Sequence, residues 1–191
     1  MGQLIRRDIL GPSRYSPMRD EFRARIIAIK KKRRVILGDR VSLVFDGRDT
    51  LLYQIEEVLR ADNITDEAGI AAELAIYDAQ MPRDGELSAT LFIELPTEAD
   101  SRVELNRFIG LDEHVVLHVG AHAVTAWFEP GRQEEDRIAA VQFTRYRLPG
   151  AARDALRVPG TKVAVEITHP AYRARTELSE ETRAELAKDL D

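Results

Sequence analysis

The sequence predicts an α+β fold: an antiparallel sheet of five or six strands, strongly curved or barrel-like, with three helices packed on one face or end. Three observations carry this. Residues 51–59 and 70–81 repeat apolar side chains at helical spacing. From Glu86 the period changes to two, with Leu87, Ala89, Leu91, Ile93 and Leu95 on one side of a strand. Further strand-like tracts follow at 115–146 and 161–167, separated by turn residues. At 191 residues and 44% apolar composition, the chain reads as one domain, 1–191, with room for a real core. Within it lie a basic helical segment (1–40), an α+β core (41–167) and a C-terminal tail with a short helix (168–191).

The first helix is predicted over 17–34. Ser16 is the N-cap, Pro17 the first helical residue, and Asp20 and Glu21 fill the first turn. Met18, Phe22, Ile26 and Ile29 make one apolar face, and Arg19, Arg23, Lys30 and Arg34 form a basic stripe beside it. Residues 35–45 read as a tight hairpin turning at Gly38-Asp39, the alternative being a helix that runs on to Leu37 and ends at Gly38. Asp49 starts a helix over 49–61 whose broad apolar face is Leu51, Leu52, Ile55, Val58 and Leu59. Glu56 and Arg60 stand four apart in the favourable orientation, while Thr50, Gln54 and Glu57 flank the apolar face. Thr65 caps a helix over 65–80 with a stripe of Ile70, Leu74, Tyr77 and Met81, ended by Pro82 and Gly85.

On the strand 86–95 the second face carries Ser88, Thr90, Phe92 and Glu94. A lone aromatic among them predicts partial cover. Residues 98–111 read as a polar connector with a short helix near Leu105 to Ile109. A three-strand meander is expected over 114–147, a linker over 153–160, a strand over 161–167 and a terminal helix started by Ser179.

Composition narrows the chemistry. The absence of cysteine excludes disulfides, thiol nucleophiles and Cys-ligated zinc or iron–sulfur clusters. The first ten residues hold arginines and no apolar run, Gly2 lacks the Ser or Thr of a myristoylation signal at position 6, and the longest apolar tract, 115–128, is too short to span a bilayer. A cytoplasmic protein without membrane attachment is expected. Residues 1–40 carry a net +8 against −13 for the remainder, within a total of −5. A basic head on an acidic body predicts either an intramolecular match or docking of an anionic partner by Arg19, Arg23, Lys30 and Arg34. The pI of 5.5 and the lack of aromatics among the basic residues argue against nucleic acid.

His114, His118 and His122 would line up on a helix, but Val115-Val116 and Gly120 specify strand. With Gly120-Ala121 as a two-residue turn, Val119 faces His122 and His118 faces Ala123, so the three imidazoles do not share a metal. His169 shares the core face of the last strand with Val163, Val165 and Ile167. It is either a core-edge histidine bonded to backbone or a ligand or acid–base group beside Glu94, Glu57 or Tyr172. No phosphate loop, nucleophile elbow or zinc-helix motif is present.

Phe45-Asp46, Thr50, Gln54-Ile55, Glu57, Arg60, Tyr77, Pro82, Leu87-Ser88-Ala89-Thr90 and Ile93-Glu94 form a pattern that resembles the DUF3501 family of bacterial proteins of unknown function. Tyr15, Arg19, Lys30, Arg33-Arg34 and Gly38 before it, and Ala140 to Phe143 and His169-Pro170 with Tyr172 after it, fit too. Asp46, Val58, Asp62 and Asp78 depart from the Glu, Met, Glu and Asn of that pattern. The resemblance implies gene neighbours that encode rubrerythrin-like di-iron proteins and iron–sulfur oxidoreductases, hence a link to redox or peroxide defence. Three functions are expected from these readings. The first is an accessory protein docking a redox partner through the basic helix. The second is a metal- or small-ligand-binding enzyme built from Gln54, Glu57, Arg60, Thr90, Glu94, His169 and Tyr172. The third is an anion or nucleic-acid binder using the basic helix. No cofactor is specified.

Overall fold

The computed structural model describes residues 4–96 and 101–190; the start of the predicted 98–111 connector lies outside them. The fold is α+β as expected, and the antiparallel strands, nine among the described residues, form two open sheets rather than one curved sheet of five or six. The first sheet runs β1 (Arg34–Leu37), β2 (Val41–Asp46), β3 (Glu86–Ile93), β7 (Val141–Arg147), β6 (Trp127–Phe128). The second runs β5 (His122–Thr125), β4 (Val115–Val119), β8 (Val163–His169), β9 (Tyr172–Glu177).

One core fills the space between the sheets. Leu43, Phe45, Leu87 and Leu91 come from the first sheet and Val115, Leu117, Val165 and Ile167 from the second. Each fully buried side chain of this size contributes about 1.5–3 kcal/mol. The alternation predicted on β3 places its odd positions in this core, and the even positions Ser88 and Thr90 are buried as well. They lie under the helices that cover the outer face of the first sheet. α2 (Arg19–Arg33) packs on β2 and on α3 (Arg48–Ala61), which packs on α4 (Glu67–Asp78). A second apolar cluster forms there from Leu51, Leu52, Ile55, Leu59, Ile70 and Met81, joined by Leu4 and Ile9.

Local differences from expectation have local causes. The chain turns helical earlier than Ser16: Pro12 opens α1 (Pro12–Tyr15), a 3-10 turn over Ser16–Met18 follows, and Ser16 is the C-cap of α1 rather than an N-cap. Asp66 rather than Thr65 caps α4, accepting from the Gly69 amide. The 114–147 meander divides between the sheets. Ala126 still bonds to Val115, but Trp127 and Phe128 cross to pair with β7, which the long 129–140 loop lets insert beside β3. The predicted linker is largely helix, α6 (Gly150–Arg157) after α5 (Ser101–Asn106), because Ala152 and Leu156 stand four apart and both bury. The tail supplies strand β9 and α7 (Glu180–Ala187), capped by Ser179 as expected.

Candidate functional site

The expected site residues are distributed over the molecule, and each has a local partner or position. Glu57 on α3 accepts two hydrogen bonds from Arg19 at 2.8 Å and one from the Tyr15 hydroxyl at 2.7 Å. Hydrogen bonds from Arg19 and Tyr15 hold its carboxyl down at about 2. Arg60 pairs with Glu57 at 3.5 Å and not with Glu56. Glu56 is fully buried and receives the Leu10 and Gly11 amides, which pins the N-terminal segment. Gln54 is half-buried on the same helix. Thr90 donates to Asp46 at 2.6 Å. Glu94 lies four positions further on, about 13 Å by strand rise, where it accepts from Ser42 at 2.8 Å and is exposed.

His169 and Tyr172 belong to the second sheet. The His169 ring spends both nitrogens on backbone: Nε2 donates to the Ile109 carbonyl at 2.9 Å and Nδ1 accepts from Ala171 at 3.2 Å. That fixes one neutral tautomer and leaves no lone pair for a ligand. The Tyr172 hydroxyl donates to the Leu37 carbonyl and accepts from the Arg40 amide at 3.1 Å, tying β9 to the β1–β2 turn. Gly38 sits in that turn at φ +70°, and a Cβ there would meet the same hydroxyl. The β4–β5 register places Val119 against His122 and His118 against Ala123, as the two-residue turn requires. His118 instead bonds Glu166 at 2.8 Å.

The basic stripe is mostly spent within the chain. Arg19 holds Glu57, Arg34 donates to Ser42 at 3.3 Å, and the half-buried Lys30 lies 5.7 Å from the Tyr53 ring centroid. Next to them Arg33 is buried between Asp189 (2.7 and 2.8 Å) and Glu185. Arg23 is exposed. The intramolecular match of basic head to acidic body is therefore realised across α2, α3 and α7.

A different place gathers uncommitted chemistry. On the outer face of the first sheet, Asp46, Ser88, Arg145 and Trp127 are successive cross-strand partners on β2, β3, β7 and β6. The row begins in a buried carboxylate and ends at the sheet edge, beyond the cover of the helices. There Trp127, the one tryptophan of the chain, is 52% exposed. Two cavities adjoin it and share Arg83, Arg145 and Trp127 as walls. One, about 550 Å³, adds Glu86, Arg147, Val124 and Thr125. The other, about 380 Å³, adds Gln80, Glu129 and Phe143 among others.

Two guanidinium groups meet one carboxylate here, and a third lines the same cavity. Glu86 is buried and takes Arg145 at 3.2 Å and Arg147 at 3.1 Å. Burial pushes its carboxyl up, but bonds from Arg147, the Arg83 amide and Arg145 outweigh that and hold it below the ordinary value. Arg145 also donates to the Met81 and Ala79 carbonyls, and its guanidinium lies 5.9 Å from the Trp127 ring centroid. The Arg83 side chain forms no hydrogen bond or ion pair among the described residues. Trp127 and these arginines escape sequence reasoning because they are scattered over 83–147; the only signal is a single exposed-type Trp in an otherwise strand-like tract.

The family described as "Protein of unknown function (DUF3501)" matches residues 3–190. A crystal structure of a novel protein of unknown function from Burkholderia pseudomallei K96243 superposes with a TM-score of 0.92 at 34% identity, covering 100% of both chains. No curated protein matches. Among the described residues, no helix is long and apolar enough to cross a membrane.

Proposed function

The chain belongs to the DUF3501 family, and from that premise we propose that it is a non-catalytic accessory protein that recognises an anionic group through the arginine-lined groove at Trp127. The observation that carries this is the imbalance of charge in the larger cavity: Arg83, Arg145 and Arg147 line it with one carboxylate, Glu86, on a chain whose net charge is −5. Guanidinium groups are weakly hydrated and present forked donors, so they suit carboxylate and phosphate. The accessory reading is supported by the fate of the other reactive side chains. Glu57, Asp46, His169 and Tyr172 are tied into bonds that hold elements together. The resemblance links the partner, by association, to a cytosolic redox or peroxide-defence system.

The test uses the single tryptophan as a reporter. Titrating the whole protein with inorganic phosphate at low ionic strength should change Trp127 fluorescence saturably, and Arg83→Ala should weaken that binding about tenfold, roughly 1.4 kcal/mol, with the melting temperature unchanged. An unchanged spectrum, or equal binding by the variant, removes the groove as the recognition surface.

A further inference from the structure

The two compartments beside Trp127 share Arg83 and Arg145, and the rest of their linings specifies a ligand. The larger adds Arg147 and Glu86 and is the cationic pole. The smaller adds two acceptor side chains to the shared arginines and is the acceptor pole. Glu129 lines it, with Oε2 taken by Arg132 at 3.1 Å and Oε1 without a partner among the described residues. Gln80 lines it too, and its Oε1 is buried without a hydrogen-bond partner. The buried Gln80 oxygen needs a donor, and the Glu129 carboxylate, 39% exposed, has room for one. Between the poles stands an indole surface of the kind on which flat rings stack. Both cavities fall within the size range of small-molecule sites, about 300–1,000 Å³.

We propose that the groove binds a mononucleotide whose base carries an amino group. The base lies on Trp127 with its amine directed to Glu129 and Gln80, and the phosphate lies with Arg83 and Arg147. The proposal rests on the anion-binding reading above and deepens it by naming the ligand class. The phosphate dianion suits several guanidinium donors. The exocyclic amine supplies the donors that the acceptor pole lacks. A simple anion would leave that pole unused, and an uncharged nucleoside would leave the cationic pole unused.

The experiment titrates Trp127 fluorescence of the intact protein at fixed ionic strength with four probes: adenosine monophosphate, adenosine, inorganic phosphate, and the monophosphate of unsubstituted purine riboside. Adenosine monophosphate is expected to bind at least about tenfold more tightly than each of the others, the factor that one good additional interaction supplies. Glu129→Gln should reduce its advantage over the purine analogue. Arg83→Ala should reduce its advantage over adenosine; that side chain holds no other element, so the fold is preserved. Phosphate binding as tightly as adenosine monophosphate would overturn the nucleotide assignment and leave the anion groove standing. Equal binding of the purine analogue would overturn the acceptor pole and the assignment with it. No saturable change with any probe would overturn both readings.

Discussion

Asp46 ends β2 with its carboxylate shut off from solvent, accepting from Thr90 at 2.6 Å and Thr50 at 3.4 Å. Burial pushes its pKa up from 3.8 to about 6, against the opposing pull of Thr90, Lys30, Thr50 and Arg33. The folded-state value lies above the unfolded one, so the proton favours the fold. That contribution is complete below the unfolded value and is lost as pH rises through about 6. The gap amounts to about 3 kcal/mol. Asp46→Asn keeps an acceptor for Thr90 and removes the buried charge. It is expected to raise the melting temperature at neutral pH by several degrees and to flatten its fall between mildly acidic and neutral pH. A variant whose pH slope matches the parent's would refute the assignment. Glu57 acts with the opposite sign, since its lowered carboxyl contributes stability that is lost only as pH falls through about 2. The sequence marks Glu57 by its place on a helix flank. It marks Asp46 only through the family pattern, because nothing in periodicity distinguishes a strand-end Asp that faces solvent from one that a helix will cover.

At the scale of elements, the legible ones are those whose burial is one-sided. α3 and α4 show their apolar stripes in sequence, and β3 shows its alternation. β9 is only faintly legible: Tyr172, Ala174 and Thr176 alternate with Arg173, Arg175 and Glu177, but the inward side is half-buried, with Tyr172 and Ala174 against the core and Thr176 donating to the Ile36 carbonyl at 2.6 Å. The attachment of α7 is not legible. It docks through Arg33, a residue that sequence assigns to a solvated basic run but that is 5% exposed. Arg33 donates to Asp189 and Glu185 more than 150 positions away, and such a pairing leaves no local trace. Burial and Arg33 pull the Asp189 carboxyl in opposite directions, and it ends above its ordinary value. Arg33→Met leaves the buried Asp189 without its cation and Glu185 with Lys188 alone, and should cost about 3–5 kcal/mol in urea unfolding. Arg33→Met combined with Asp189→Leu should recover most of the loss. If the single variant loses less than about 1 kcal/mol, the clamp is not what fixes α7.

Over the whole molecule, the two apolar clusters have no side chain in common. One lies between the sheets and the other within the helical cover. The groove is built across them: Ala79 and Gln80 directly follow α4, and Arg145, Arg147 and Trp127 come from the edge of the first sheet. Ser88 bonds the Gln80 carbonyl at 2.8 Å and Arg145 bonds those of Ala79 and Met81, so the wall of the groove is also the seam between the clusters. A further tie crosses from the cover to the first sheet at Thr50 with Asp46, and Arg33 with Asp189 joins the cover to the C-terminal helical turn. A seam with that many polar bonds should not open before the rest. Thermal unfolding followed by Trp127 fluorescence, which reports the groove, should coincide with unfolding followed by far-ultraviolet circular dichroism, as a two-state domain requires. A fluorescence midpoint well below the other would mean that the helical cover detaches first. The groove would then exist only while the cover is docked. A ligand spanning both walls would raise the lower midpoint and leave the upper one in place, by mass action on the docked state alone.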